Sequence, residues 1–226
     1  MLSDVSGETG QSHIDSYGLI GYARYQGQPW YVNLSTTGAL QQYNITRAIT
    51  SIPGFTGTAT GKFNGMQYAA RAEAGYPIRL NDDVVLTPLG SLTYSYQNQN
   101  GYIESGGNGA GLTVNVTHAN SIKSGMGARL EKAYSTQWGQ VLPFVQAQWI
   151  HEYDTAQQAT TAAFSIDPGE TAFTTYGATP IADMADVAVG VTLVKADSLS
   201  LSAKYEVQAA KGYFAQTAMV KLQMAF

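Results

Sequence analysis

Cysteine is missing from all 226 residues, which excludes disulfide frameworks, thiolate metal sites and cysteine nucleophiles. Charge is scarce: Asp, Glu, Lys and Arg make up 12% of the chain, against roughly 25% in an average soluble domain. The net charge of −4 is small, and no basic patch is interleaved with aromatic residues, so nucleic acid is not an expected partner. No run of about 18 or more apolar residues occurs, which excludes a transmembrane helix. The opening residues, Met1 to Gly10, carry neither a basic region nor an apolar one and do not read as a signal peptide. For an exported protein this is a conflict. It is resolved if the sequence is the C-terminal part of something longer, or a truncated reading frame.

What is present points to β-structure. There are 15 Tyr and 24 Gly, and aromatic residues make up 11%. Low charge with many Tyr, Gly, Ser, Thr and Gln suits a sheet with one face in lipid and aromatic girdles at the interfaces. A secreted soluble β protein shares that composition. The end of the chain is more informative. Phe214, Ala218, Val220, Leu222, Met224 and Phe226 fall on one parity, interrupted by Gln216, while Thr217, Lys221 and Gln223 fall on the other. Side chains on a strand alternate between faces, so this is a strand with one apolar face. A terminal Phe on a lipid-facing strand is what an outer-membrane barrel uses as an assembly signal; Val220, Leu222, Met224 and Phe226 are assigned to it.

Alternation recurs between turn signals, predicting strands over 17–25, 30–43, 68–78, 84–96, 122–130, 141–153, 185–193, 199–209 and 214–226. Their lengths lie near the roughly 9–11 residues that cross a bilayer at a tilt. Short turns at 27–29, 80–83, 133–140 and 195–198 alternate with long loops at 46–65, 97–121 and 155–183, the last connection at 210–213 excepted. Sorting by length to two ends is the habit of outer-membrane barrels. The expected division is a polar segment, 1–15, followed by one barrel domain, 16–226. Nine strands is an odd count, and an open edge in lipid leaves N–H and C=O groups unpaired, so the reading supposes an odd number of strands upstream.

Parity also sorts the charges. Arg71, Glu73, Lys123, Arg129, Glu131, Asp186, Lys204, Glu206 and Lys221 fall opposite the apolar positions. They read as lumen-facing, either as a hydrated path for a polypeptide or as a structural network placed inside because lipid excludes charge. The histidines are His13, His118 and His151. His151 and Glu152 are adjacent, so a strand sends them to opposite faces. No HExxH, clustered carboxylates or nucleophile elbow appears. The sequence therefore offers no catalytic, cofactor or metal site. Trp30, Trp138, Tyr25, Tyr43, Tyr76, Tyr134 and Tyr153 lie near strand ends and read as interfacial anchors. Glu104 reads equally as a fold-fixing contact or a solvated loop residue.

An ordered set of motifs resembles one family. Thr87-Pro88, Leu92 and Tyr94 lead to Gly101-Tyr102-Ile103-Glu104 and Gly111-Leu112-Thr113-Val114. Gly125-Met126-Gly127-Ala128-Arg129-Leu130, Pro143, Trp149 to Tyr153 and the terminal Phe226 continue the order. Together they are similar to the C-terminal translocator (β) domain of autotransporters (type Va secretion), over about Ser16 to Phe226. The resemblance implies an all-β, antiparallel up-and-down transmembrane β-barrel of outer-membrane type, with about nine of an expected twelve strands present and no preceding helix. It further implies residence in the outer membrane of a Gram-negative bacterium, insertion by the barrel-assembly machinery as a monomer, and secretion and surface display of the chain's own passenger polypeptide. On this reading the partners are outer-membrane lipid, that machinery and the passenger, and the chain is not an enzyme. Two other readings remain beside it: another outer-membrane barrel, an omptin-like protease or small porin, and a soluble β-sandwich binding module.

Overall fold

The structure, a computed structural model, describes residues 4–5, 8–50, 54–167, 169, 171–196 and 199–224. Nine long strands carry it: β1 (Glu8–Gln26), β2 (Tyr31–Ile49), β3 (Gly57–Gly75), β4 (Val84–Gln99), β5 (Thr117–Lys132), β6 (Gly139–Glu152), β7 (Asp183–Ala196), β8 (Leu199–Ala210) and β9 (Tyr213–Met224). Each pairs antiparallel with the next, giving an up-and-down meander from β1 to β9. Two turns show the local chemistry. The Asn81 side chain accepts hydrogen bonds from the Asp83 and Val84 amides at 3.0 and 2.9 Å, an Asx turn that reverses the chain into β4. At the β8–β9 hairpin Gly212 has a φ of 76°, a left-handed backbone that glycine adopts without a Cβ clash.

Residues opposite each other across a ladder share a face, so the register carries one parity around the whole sheet. Tyr17 and Leu19 of β1 stand with Leu34 and Leu40 of β2 and with Tyr68 and Ala72 of β3. The same face carries Leu92 and Tyr94 of β4, Met126 and Leu130 of β5, and Val145 and Trp149 of β6. It continues through Val187, Val189 and Val191 of β7, Leu201 and Tyr205 of β8, and Val220 and Leu222 of β9. Gln216 is the polar residue in this row on β9, and its side-chain oxygen accepts the Tyr205 hydroxyl at 2.5 Å. The face is bare: Leu19 is 84% exposed and Val220 75%. Among the described residues no large side chain is fully buried. A β-sandwich would bury both inner faces in a shared core, so that reading fails.

The opposite face turns inward. Nine flat strands would hold β1 and β9 roughly 38 Å apart at about 4.8 Å per spacing. Yet the Lys221 ammonium on β9 lies 5.9 Å from the ring centre of Tyr22 on β1. The sheet is therefore strongly curled, with Tyr22 and Lys221 on its concave side. Among the described residues the ladder is open between β1 and β9.

Several boundaries differ from the sequence expectation for one reason. β1 begins at Glu8, so most of the expected polar segment 1–15 is strand; β2 runs on to Ile49, β3 starts at Gly57 and β5 at Thr117. At this end the outward positions are polar (Asn44, Thr58, Thr60, Lys62 and Asn64), so the hydrophobic alternation that marks a lipid-facing strand is gone although pairing continues. The long loops are also structured. Tyr102–Ile103, Leu112–Val114, Ala159–Phe164 and Ala172–Tyr176 form a second, four-stranded antiparallel sheet. Ile49 and Ala59, at 2% and 0% exposure, are buried at this end of β2 and β3.

Val189→Arg, at the middle of β7 on the apolar face, is expected to destabilise the lipid-embedded barrel by about 2–4 kcal/mol. Thr217→Arg on the concave face of β9 is expected to cost much less. Urea unfolding in liposomes measures both, and equal losses would contradict the assignment of faces.

Candidate functional site

The concave face is the candidate site, and the ladders place all nine sequence-predicted charges on it: Arg71 and Glu73 on β3; Lys123, Arg129 and Glu131 on β5; Asp186 on β7; Lys204 and Glu206 on β8; Lys221 on β9. Positions i and i+2 on a strand share a face, and the sequence uses that spacing three times to pair opposite charges. Arg71 Nη2 lies 3.0 Å from Glu73 Oε2, Arg129 Nη2 2.6 Å from Glu131 Oε2, and Lys204 pairs with Glu206. Arg71 also donates to Thr93 Oγ1 at 3.4 Å. The Arg129 guanidinium sits 3.7 Å from the centre of the Phe144 ring. Phe144 in turn covers Gly190, where a Cβ would stand 2.6 Å from the ring. Asp186 is buried and accepts the Gln208 amide at 2.9 Å. The structure thus forms three adjacent couples. Asp186 lies against the Lys204–Glu206 couple, Lys123 faces Glu152, and Lys221 stands outside the three.

Two carboxylates organise the loop end of this face. Glu104 is buried and forks onto Arg47 of β2, taking Nη2 at 2.6 Å and Nε at 3.3 Å. Its second oxygen also accepts the Leu112 amide at 3.0 Å, and Arg47 reaches the Ala110 carbonyl at 2.9 Å. Beside it Tyr102 stacks on Phe63 (ring centres 4.3 Å apart), and Phe63 stacks on Tyr43 (4.6 Å). Burial, and then the negative charge of Glu104, push the Tyr102 hydroxyl above the ordinary tyrosine pKa. The 100–116 loop is therefore folded in over the concave face of β2 and β3. Glu152 does the same for the next loop. It accepts Ser121 Oγ at 2.5 Å and the Ile122 and Asp154 amides at 2.9 and 3.1 Å, with Lys123 Nζ at 3.8 Å.

Tyr43 is not an interfacial anchor: at 6% exposure it is core on the concave side, because its parity matches Tyr31 and not Leu40. Trp30, Tyr25, Tyr76, Tyr134 and Trp138 are exposed at the short-turn end, and Tyr153 is exposed at the other. His151 and Glu152 do point to opposite faces. On the convex side His151 Nδ1 meets Asp183 Oδ1 at 2.9 Å, and Trp149 Nε1 donates to the same oxygen at 3.0 Å. Among the described residues no group of His, Cys, Asp and Glu is placed to hold a metal ion. Val220, Leu222 and Met224 line the apolar face of β9, and Phe226 lies outside the described residues. The sequence reading missed Arg47, which fell in an expected loop. Its parity with Tyr43, extended four residues, was the available signal.

A curled antiparallel sheet with a bare apolar exterior and a charge-bearing interior defines an outer-membrane β-barrel protein. The family model for the autotransporter beta-domain matches residues 2–206, and the chain belongs to that family. Its place is the outer membrane of a Gram-negative cell. Among solved structures, the translocator domain of the autotransporter NalP from Neisseria meningitidis superposes with a TM-score of 0.73 at 16% identity, over 99% of this chain and 70% of that one. Outer membrane protein A of Rickettsia rickettsii is 27% identical over 176 residues, 75% of this chain but 7% of that protein. Esterase EstA of Pseudomonas aeruginosa is 25% identical over 215 residues, 94% of this chain and 33% of that protein. The chain therefore spans a minor part of these last two proteins.

Glu104→Ala removes the acceptor of three hydrogen bonds. It is expected to weaken the anchoring of the 100–116 loop by about 2 kcal/mol, on the order of a thirtyfold rise in cleavage by an added protease. An unchanged cleavage rate would show that the Arg47 clamp does not hold the loop.

Proposed function

We propose that this chain holds and conducts its own passenger polypeptide along the concave face, inserted in the outer membrane as a monomer by the barrel-assembly machinery. The carrying observation is the separation of chemistry by face: lipid-compatible side chains outside, and inside a polar wall most of whose cations are matched to neighbouring carboxylates. Such a wall stays hydrated while presenting few unmatched charges, so an extended polypeptide has water and polar contacts along its course without a strong trap. The same pairs brace adjacent positions on β3, β5 and β8. The structural and conducting roles of Arg71, Glu73, Lys123, Arg129, Glu131, Asp186, Lys204, Glu206 and Lys221 are thus one design. Val220, Leu222, Met224 and Phe226 serve as the signal read by the assembly machinery.

This reading has no catalytic step. An omptin-like protease needs acids and a histidine converging at one rim, whereas Glu152 faces inward on three hydrogen bonds and His151 is engaged with Asp183 on the outer side. The esterase activity in the name of one relative belongs to a protein of which this chain matches a third.

Photo-crosslinkers at Thr217 and Ala218, neighbours on opposite faces of β9, test the proposal in cells secreting a tagged passenger. The expected result is a passenger adduct from Thr217 during secretion and none from Ala218. Equal labelling from both, or none from Thr217, would overturn it.

A further inference from the structure

The apolar exterior is not uniformly smooth. Where β1, β2 and β3 run side by side, an open groove of about 510 Å³ is cut into it. Gly38 forms the floor, between Leu19 and Tyr68 in one cross-strand row; Tyr17, Leu40 and Met66 form the next row. All six lie on the convex, lipid-facing parity. A Cβ on Gly38 would meet nothing within 4 Å, so glycine leaves open space here. Tyr68 is held upright as a wall by Tyr96 and Tyr94, with ring centres 5.0 and 6.0 Å away.

Toward the long-loop end the rows change character. Asp15, Gln42 and Asn64 come next, then His13, Asn44 and Lys62. Asp15 is turned to His13, Oδ1 to Nε2 at 3.3 Å. Lys62 is exposed and forms no ion pair among the described residues. Lys62 stands four residues along β3 from Met66, about 13 Å at strand rise, and a lysine stem can bend back several ångströms toward the apolar boundary. From end to interior come Lys62, then a row of two amides with Asp15 turned to His13, then the apolar groove. That is the order of an anionic lipid: phosphate, polar linkage, acyl chain.

We propose that this groove is a specific binding site for a phosphate-bearing lipid of the outer leaflet, its acyl chain along Gly38 and its phosphate at Lys62 and Asn44. The membrane covers this face in any case, so the groove is filled by lipid; Lys62 selects which lipid stays. Bound there, the lipid would brace β1 to β3 from outside, the side opposite the Tyr43–Phe63 stack. The inference requires only that the convex face is in the bilayer and is independent of the passenger's path.

Native mass spectrometry of the full-length membrane protein, released from detergent with dimyristoyl phosphatidylglycerol or dimyristoyl phosphatidylcholine, tests it. The wild type should retain one phosphatidylglycerol in preference to phosphatidylcholine. Gly38→Leu puts a side chain into the groove from a position where a Cβ meets nothing within 4 Å, and should lower retention of both lipids about tenfold, the loss of contact with roughly two methylenes. Lys62→Gln should keep acyl retention but lose the roughly fivefold preference that one basic residue near a membrane surface supplies. Unchanged retention in Gly38→Leu, or an undiminished preference in Lys62→Gln, overturns the proposal. A parallel secretion assay, expected to be normal in Gly38→Leu, separates this outcome from a failure of passenger conduction.

Discussion

In hydrocarbon a backbone N–H or C=O has no water to turn to, and each one left unpaired costs several kcal/mol. The rest of this structure follows from that constraint. It demands strand-to-strand pairing across the whole membrane thickness, which the antiparallel ladders supply from β1 to β9, with the ladder open between those two strands among the described residues. Pairing in turn fixes side chains at a period of two. One parity must then be compatible with lipid, since a charge at the bilayer midplane costs about 2–4 kcal/mol on that face. Within the lipid zone the charges keep to the other parity, and there they need partners. A strand offers a convenient one two residues away, and Arg71–Glu73, Arg129–Glu131 and Lys204–Glu206 all use it.

Above the bilayer the constraint is lifted and different physics takes over. Strands β2, β3 and β5 continue into water with polar residues outward, and the concave side fills with small and aromatic residues. The Tyr43–Phe63–Tyr102 stack and the Arg47–Glu104 fork tie a distant loop to the sheet wall. Two of the long loops, 97–121 and 155–183, supply a second sheet. The protein has two regimes along one set of strands: a lipid-facing zone held by pairing and alternation, and a water-facing zone held by packing and buried charge.

That division explains what could be read in advance. In the lipid zone the sequence pattern is the structure: the nine strands, the outward placement of residues such as Val187 and Leu201, and the inward placement of Arg129 or Lys204 all follow from parity. In the water zone the apolar alternation that makes parity legible is gone. Thr58, Thr60, Lys62 and Asn64 give no apolar rhythm, so the start of β3 read as loop. Glu104 and Arg47 lie 57 residues apart, and nothing local joins them. Tyr43 shows the trap most plainly. An aromatic near a strand end suggests an interfacial anchor, yet its position in the β2 ladder sends it inward beneath Phe63.

The absence of native cysteine makes the central claim directly measurable. Single cysteines placed one at a time from Leu199 to Ala210 can be tested with a water-soluble maleimide and a lipid-phase quencher in the outer membrane. The account predicts a strict period of two: Leu201, Ala203, Tyr205 and Val207 exposed to lipid, and Ser202, Lys204, Glu206 and Gln208 exposed to water. Equal accessibility at neighbouring positions, or the opposite phase, would contradict it.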